Sequence, residues 1–172
     1  MLAFLILVLS QTGTVLAQDP APTKTATLHL SAPIACRKIS GFEDYVVLDP
    51  PELTKDEKLL VYCKPSGHTY VEKDGKFQAH LVQDLAVRRK GKKKPLWTRK
   101  KAIDFQTDSD YPPLKLYLGS TVSLKGLEPG EYEVDLIVTD ELLEEPPVTA
   151  TLEFKVIASR PVPSPRPEDS KP

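Results

Sequence analysis

The chain has 172 residues, and 40% of them are apolar, which is enough for one domain with a modest core. Its 23 basic and 24 acidic residues give a net charge of −1, which excludes a chain that is cationic along its whole length. There is no C-x-x-C motif and no His/Cys cluster, so the sequence offers no recognisable metal site.

The N-terminus has the pattern of a secretory signal peptide. Residues 1–9 are apolar, a short polar step follows, and Val15, Leu16 and Ala17 precede polar residues. We therefore expect cleavage after Ala17, although the segment before the apolar run has no Lys or Arg. An uncleaved membrane anchor is the alternative, but polar residues interrupt the run at position 10, well short of the roughly 20 apolar residues that a span needs. No other segment is apolar enough, so the mature chain should be exported to the periplasm, cell envelope or extracellular space.

Proline-rich or polar segments flank a single predicted domain. The expected order is a signal peptide at 1–17, a disordered linker at 18–24, the domain at 25–158 and a disordered tail at 159–172. The tail has five prolines in fourteen residues and little apolar surface to bury.

Within the domain, apolar residues recur with a period of two. In chain order, strands are expected in "TATLHLS", "EKLLVYCK", "TYVEKDGKFQAHLVQDLAVRRK", "LKLYLGS", "EYEVDLIVTD" and "VTATLEFKV". The third of these contains Asp74 and Gly75, a strong signal for a hairpin turn. The last two should form a hairpin with a longer loop. Seven or eight short strands without helices predict an all-β, antiparallel sandwich, although the pattern does not distinguish it from a closed barrel.

The stretch "LEPGEYEVDLIVTD…VTATLEFKV" resembles the last hairpin of immunoglobulin-like domains in exported bacterial proteins. The preceding stretches "CRKISGFEDYVVL", "EKLLVYCKP" and "DGKFQAHLVQDLAV" are similar to small secreted bacterial proteins built on such a sandwich, so the resemblance spans about residues 36–157. It implies an immunoglobulin-like sandwich, and it implies no catalytic residue, because this family carries none that could be transferred.

Cys36 and Cys63 are the two cysteines of the chain. An even number in an exported protein permits a disulfide, whereas a pair of buried thiols is the alternative. No Trp lies between them, unlike in antibody-type domains, so a bridge need not join the two sheets.

Catalytic motifs are missing from the sequence. It has no G-x-S-x-G elbow and no H-E-x-x-H motif, and its acids are too numerous to single out a catalytic pair. We therefore expect no enzyme and no cofactor. The histidines His29, His68 and His80 lack the spacing of metal ligands, so we expect surface or strand-edge residues. The aspartates Asp104, Asp108 and Asp110 do not match a calcium loop, so we expect a solvated loop there.

The best functional lead is "RRKGKKKPLWTRKK", residues 88–101, where nine of fourteen residues are Lys or Arg. Apolar alternation stops at Val87 and resumes near Ile103, which predicts a hairpin with a charged tip. It could bind a polyanion, with Trp97 as a stacking face, or its charges could be offset by the acidic strand near Glu131 to Asp135 while Trp97 packs on Val87. The candidate polyanion-binding residues are Arg88, Arg89, Lys90, Lys92, Lys93, Lys94, Trp97, Arg99, Lys100 and Lys101.

These observations predict a non-enzymatic binding or structural module that contacts an anionic envelope polymer or an acidic protein. Nucleic acid is not expected as a partner outside the cell. The alternative is an accessory subunit or chaperone-like domain that pairs with a strand of its partner, and a hydrolase with an unrecognised site is a third possibility.

Overall fold

The computed structural model describes residues 27–143 and 145–158. The predicted signal peptide, linker and tail lie outside these residues. In the described part of the chain no helix is present, and none is therefore long and apolar enough to cross a membrane. Twelve strands are present: β1 (His29–Leu30), β2 (Ile34–Gly41), β3 (Asp44–Val47), β4 (Glu52–Thr54), β5 (Lys58–Cys63), β6 (Pro65–Ser66), β7 (Val71–Lys73), β8 (Lys76–Arg89), β9 (Trp97–Ser109), β10 (Leu118–Ser123), β11 (Gly130–Asp140) and β12 (Val148–Ile157).

The domain is all-β, as predicted, and is built mainly from two sheets. One has four strands in the order β10-β5-β2-β3 and curls into a half-barrel. The other has six strands: β4-β12-β11-β8-β7, with β9 on the other edge of β8. β1 and β6 form a small separate pair. The strand count exceeds the expected seven or eight. Three of the unexpected strands, β3, β4 and β6, have two to four residues and are too short to show alternation, whereas β2, with eight residues, was missed.

One strand pair departs from the antiparallel prediction. β4 pairs with the last strand, β12, in parallel, with Leu53 opposite Val156. This edge strand follows two prolines, Pro50 and Pro51, and is three residues long. A pairing between segments a hundred residues apart leaves no local sequence signal.

The strands β8, β11 and β12 form the centre of the six-stranded sheet, as their alternation predicted. On β11, Tyr132, Val134, Leu136 and Val138 are all buried, with exposed fractions of 1% or less. β12 lies antiparallel to β11 in the register predicted by a hairpin, with Val134 opposite Leu152. Period-two alternation therefore locates the core face correctly here.

The two sheets share a main hydrophobic core. Leu59 and Val61 of β5 and Val122 of β10 are fully buried in the same cluster as Tyr132, Val134 and Leu136 of β11, whereas Val138 belongs to a second, smaller cluster with Leu81 and Leu118. The opposite face of β5 carries Tyr62, whose ring lies between those of Tyr45 and Tyr117, with centroids 4.5 and 5.3 Å away. This aromatic stack covers the outer face of the four-stranded sheet.

A two-residue turn joins β7 to β8. Its residues, Asp74 and Gly75, have φ of 54° and 75°, the left-handed values that a type I′ turn requires at both positions. The predicted hairpin is therefore confirmed.

The hairpin of β8 and β9 contains the basic stretch. β8 ends at Arg89 and β9 begins at Trp97, so the tip comprises residues 90–96. The pairing slips between Gln83 and Leu85, where two extra residues of β9 form a bulge. Lys101, in this bulge, has φ of 48°, and its backbone N–H donates to the Oδ1 of Asp84 over 2.8 Å. A carboxylate on β8 thus fixes the irregularity in β9.

The two cysteines are free and buried. Cys36 lies opposite Leu60 in the β2–β5 register, so Cys63 is three residues further along the neighbouring strand. At about 3.3 Å per residue this offset is roughly 10 Å, beyond the 7 Å that a disulfide allows between Cα atoms. Cys36 and Cys63 therefore form no disulfide in this structure, and the alternative of two buried thiols is the one observed.

Candidate functional site

The base of the basic hairpin is neutralised by the domain's own acids. Arg88 on β8 forms ion pairs with Glu133 and Asp135 on the neighbouring strand β11, and its Nε donates to the Oδ2 of Asp135 over 2.8 Å. Burial opposes the ionisation of Asp135, but the hydrogen bonds from Arg88 and Thr151 outweigh it and hold its pKa below the ordinary value. Arg88 is therefore bound within the domain.

Arg89 and Lys90 also have partners within the domain. The Nζ of Lys90 lies 2.7 Å from Glu153 and 4.0 Å from Glu131. The guanidinium of Arg89 lies over the ring of Tyr132, 5.4 Å from its centroid. The predicted neutralisation by the acidic strand β11 is thus observed at this end of the stretch.

Lys100 and Lys101, the last two cations of the stretch, also form ion pairs within the domain. Lys100 Nζ lies 2.6 Å from the Oδ2 of Asp84, and Lys101 Nζ lies 3.6 Å from Asp104. Burial of Asp84 opposes its ionisation, but the bonds from Lys100 and the Lys101 N–H dominate and lower its pKa. These two lysines are therefore partly offset as well.

Four of the nine cations remain for an external ligand. Among the described residues, Lys92, Lys93 and Lys94 at the tip and Arg99 on β9 form no ion pair, and all four are exposed. The structure thus divides the predicted site into a neutralised base and a free tip.

Arg99 belongs to a groove that the sequence alone did not reveal. The groove has a volume of about 470 Å³, and no carboxylate of the described chain lines it. We call it the cationic groove, and its lining comprises Lys58, Trp97, Arg99, Thr121, Ser123 and Lys125.

The strand register explains why Trp97 and Arg99 face this groove. Trp97 lies opposite Val87 and Arg99 opposite Leu85, two residues of the hydrophobic core. Residues opposite one another in a pair share a face, so both side chains point to the core side of the six-stranded sheet. At this edge none of the described strands covers them, because the four-stranded sheet ends at β10. Trp97 therefore lies opposite Val87 and packs against the core cluster that contains Val87, as predicted, while its side chain also lines the groove.

The sequence analysis missed Lys58 and Lys125. They are separated from Trp97 by about forty and thirty residues, and they reach the groove through the pairing of β5 with β10, in which Lys58 lies opposite Ser123. Their only sequence signal was the polar alternation of β5 and of the segment after β10. Such alternation shows that a side chain faces solvent, but it does not show which other strand lies beside it.

The other polar candidates do not assemble into a site. Asp104 and Asp108 lie on strand β9, so the loop interpretation was wrong, and Asp110 pairs with Lys76 at 2.7 Å. No group of three or more His, Cys, Asp or Glu side chains in the described residues is arranged to hold a metal ion.

The three histidines differ in their surroundings. His80 lies 2.8 Å from Asp104 at the edge of the sheet, and His29 is exposed. His68 is buried, contrary to the surface prediction, and neither of its ring nitrogens has a hydrogen-bond partner of good geometry. Burial lowers its pKa, while nearby Asp140 and the Pro113 carbonyl counteract only part of the effect.

A scan against protein-family models and a search of curated proteins find no match to this chain.

Proposed function

We propose that this protein is a non-catalytic binding module that holds a polyanion in the cationic groove and on the neighbouring hairpin tip. The ligand chemistry is dense negative charge, as in an anionic envelope polymer or an acidic protein surface. The observation that carries the proposal is the groove itself: three cations and an indole line it without any described carboxylate.

The groove combines the groups that suit such a ligand. Lys58, Arg99 and Lys125 supply positive charge, and Thr121 and Ser123 supply hydroxyl donors. Trp97 offers an apolar face for a sugar ring or an aliphatic segment. The exposed lysines of the tip extend the positive potential beyond the groove and should accelerate the association of an anionic partner.

The immunoglobulin-like fold and the export of the chain are part of the same proposal. Tyr132 donates its hydroxyl hydrogen to the carbonyl of Glu128 over 2.6 Å, four residues upstream at the start of β11. This contact is like the tyrosine corner of immunoglobulin-like sandwiches and supports that assignment. Export is supported by the signal-like sequence of residues 1–17, which lies outside the described residues. Outside the cell, nucleic acid would be a rare ligand.

The proposal is tested by measuring the binding of fluorescently labelled polyphosphate and polyglutamate across a salt series. We expect both to bind, with affinities that fall steeply as salt rises because bound counterions are released. Replacing Lys58, Arg99 and Lys125 together by Gln should weaken binding by at least tenfold and flatten the salt dependence. Replacing Lys92, Lys93 and Lys94 by Gln should cause a smaller loss.

A matched control comes from the neutralised base of the hairpin. Lys90, Lys100 and Lys101 carry the same charge as the groove cations but are held by Glu153, Asp84 and Asp104, so replacing all three by Gln removes three charges without altering the groove. This variant should lose less affinity than the groove variant. Equal losses would mean that only net charge matters and that the groove is not the binding site.

A further inference from the structure

The cationic groove continues into an apolar groove along the same edge. This second groove has a volume of about 590 Å³, and Thr121 lines both. Its apolar lining comprises Ile39, Leu60, Ile103, Phe105, Leu116 and Leu118. One continuous surface therefore changes from apolar to cationic along β9 and β10.

The apolar half results from a difference in width between the two sheets. Ile103 lies opposite Gln83 and Phe105 opposite Leu81, and both partners are fully buried. Ile103 and Phe105 therefore point to the core side of their sheet, yet each is only half-buried. The four-stranded sheet ends at β10, so within residues 27–143 and 145–158 no strand lies opposite the core side of β9.

The outer edge of β10 is open to hydrogen bonding. β10 pairs only with β5 among the described strands, so its other edge presents backbone N–H and C=O groups without a strand partner. Gly119, in this strand, leaves the space above it to the side chains of Tyr117 and Ile39, which lie 3.4 and 3.7 Å from where its Cβ would be, so the sheet face is packed here while the edge stays open.

We propose that an extended segment of an acidic partner protein adds to β10 as a fifth strand of the four-stranded sheet and packs under β9. This inference rests on the proposed function, because the acidic end of the segment would lie in the cationic groove. It identifies the ligand of that groove as a polypeptide.

The register determines the chemistry of the segment. Alternate side chains beside Leu118 and Ser120 would face Ile103 and Phe105, so they should be apolar. Beyond Thr121 the segment would meet Arg99 and Lys125, so its residues there should be Asp or Glu. The ligand class is a segment that alternates apolar and polar residues and then becomes acidic.

Other occupants fit the groove less well. A lipid chain could fill the apolar half but could not satisfy the backbone groups of β10. A second copy that paired antiparallel through its own β10 would bring its Lys115, rather than a carboxylate, toward the cationic groove, where like charges repel. The chain's own tail has five prolines in fourteen residues, and each lacks the N–H that a strand ladder needs.

The test uses a labelled synthetic peptide of about nine residues, with alternating Val and Thr followed by Asp and Glu, which is long enough to cover β10. We expect it to bind the full chain with an affinity that is only partly reduced by salt. The same peptide with N-methyl groups on alternate residues keeps its charge but loses ladder donors, and it should bind at least tenfold more weakly. Peptide binding should also slow hydrogen exchange at Leu118–Ser123.

Charge reversal supplies a second measurement with a matched control. Arg99→Glu, at an exposed position, should weaken peptide binding by about tenfold, because an attraction becomes a repulsion. Lys73→Glu changes an equally exposed cation on β7, which lines neither groove, and should have little effect.

The outcomes separate this inference from the proposed function. If the N-methylated peptide binds equally well, or exchange at β10 is unchanged, strand addition is refuted, whereas salt-sensitive polyphosphate binding would still support the proposed function. If the peptide binds by strand addition but polyphosphate and polyglutamate do not bind, the proposed function fails alone. A concentration-dependent dimer in sedimentation that blocks the peptide would assign the groove to a second copy and overturn the choice of partner.

Discussion

The hydroxyl of Tyr132 offers a sharp test of how the start of β11 is held. Its ring is 1% exposed and stacks on Phe154 with centroids 5.7 Å apart, while Arg89 lies on its face. The substitution Tyr132→Phe preserves these ring contacts and removes only the hydrogen bond to the carbonyl of Glu128. Because Glu128 is exposed, water can replace part of that bond, and the loss should be about 1 kcal/mol.

The magnitude can be measured by urea unfolding. With an m-value of about 1.5 to 2 kcal/mol/M, the midpoint should fall by about 0.5 M without a change in slope, and Tm should fall by about 3 to 5 °C. Tyr132→Ala removes the ring as well and should cost about 3 to 5 kcal/mol. A Tyr132→Phe protein with the midpoint of the wild type would refute the argument that this hydrogen bond stabilises the fold.

Three further predictions concern titratable groups. The pKa of Asp135 is lowered in the folded protein, so its contribution to stability is present above its ordinary pKa of 3.8 and is lost as the pH falls through the lower folded value. Asp135→Asn should flatten the acid limb of a plot of Tm against pH. The pKa of His68 is also lowered, so stability should begin to fall below about pH 6.5, and His68→Gln should remove that step. Cys36 and Cys63 should react with a thiol reagent only after unfolding, because burial shields both and raises their pKa values.

A control variant accompanies the Asp135 and His68 predictions, and thiol counting checks the cysteine prediction. Asp44 is exposed on β3 and forms no ion pair with a described residue, so Asp44→Asn should leave the acid limb intact. A His29→Gln variant should retain the step near pH 6.5, since His29 is exposed. Rapid labelling of either native thiol would contradict the burial argument, and recovery of fewer than two thiols after unfolding without reductant would contradict the absence of a bridge.

The sequence was informative where the structure is local. The turn at Asp74 and Gly75, the β11–β12 hairpin and the charged hairpin tip each follow from a few adjacent residues, whose side-chain period and backbone preference act over short distances. The sequence also predicted that acidic residues of β11 offset part of the basic stretch, because Glu131, Glu133 and Asp135 alternate along that strand, and Arg88 does pair with two of them.

The remaining features depend on which strands become neighbours. The cationic groove joins Lys58, Trp97 and Lys125, which no local pattern connects. The parallel pairing of β4, the burial of His68 and the offset between the cysteines depend on non-local register in the same way. Period-two alternation identifies the face of a strand but not the strand beside it.

The bulge in β9 also determines how the hairpin could change in length. It adds two residues, an even number, so Trp97 and Arg99 remain on the same face as Ile103 and Phe105. Deleting one residue of the bulge would turn the first pair to the opposite face of the sheet and dismantle the cationic groove. Deleting two would remove the bulge while preserving both the face and the pairing of Trp97 and Arg99. Homologous chains with a working groove should therefore differ here in steps of two residues.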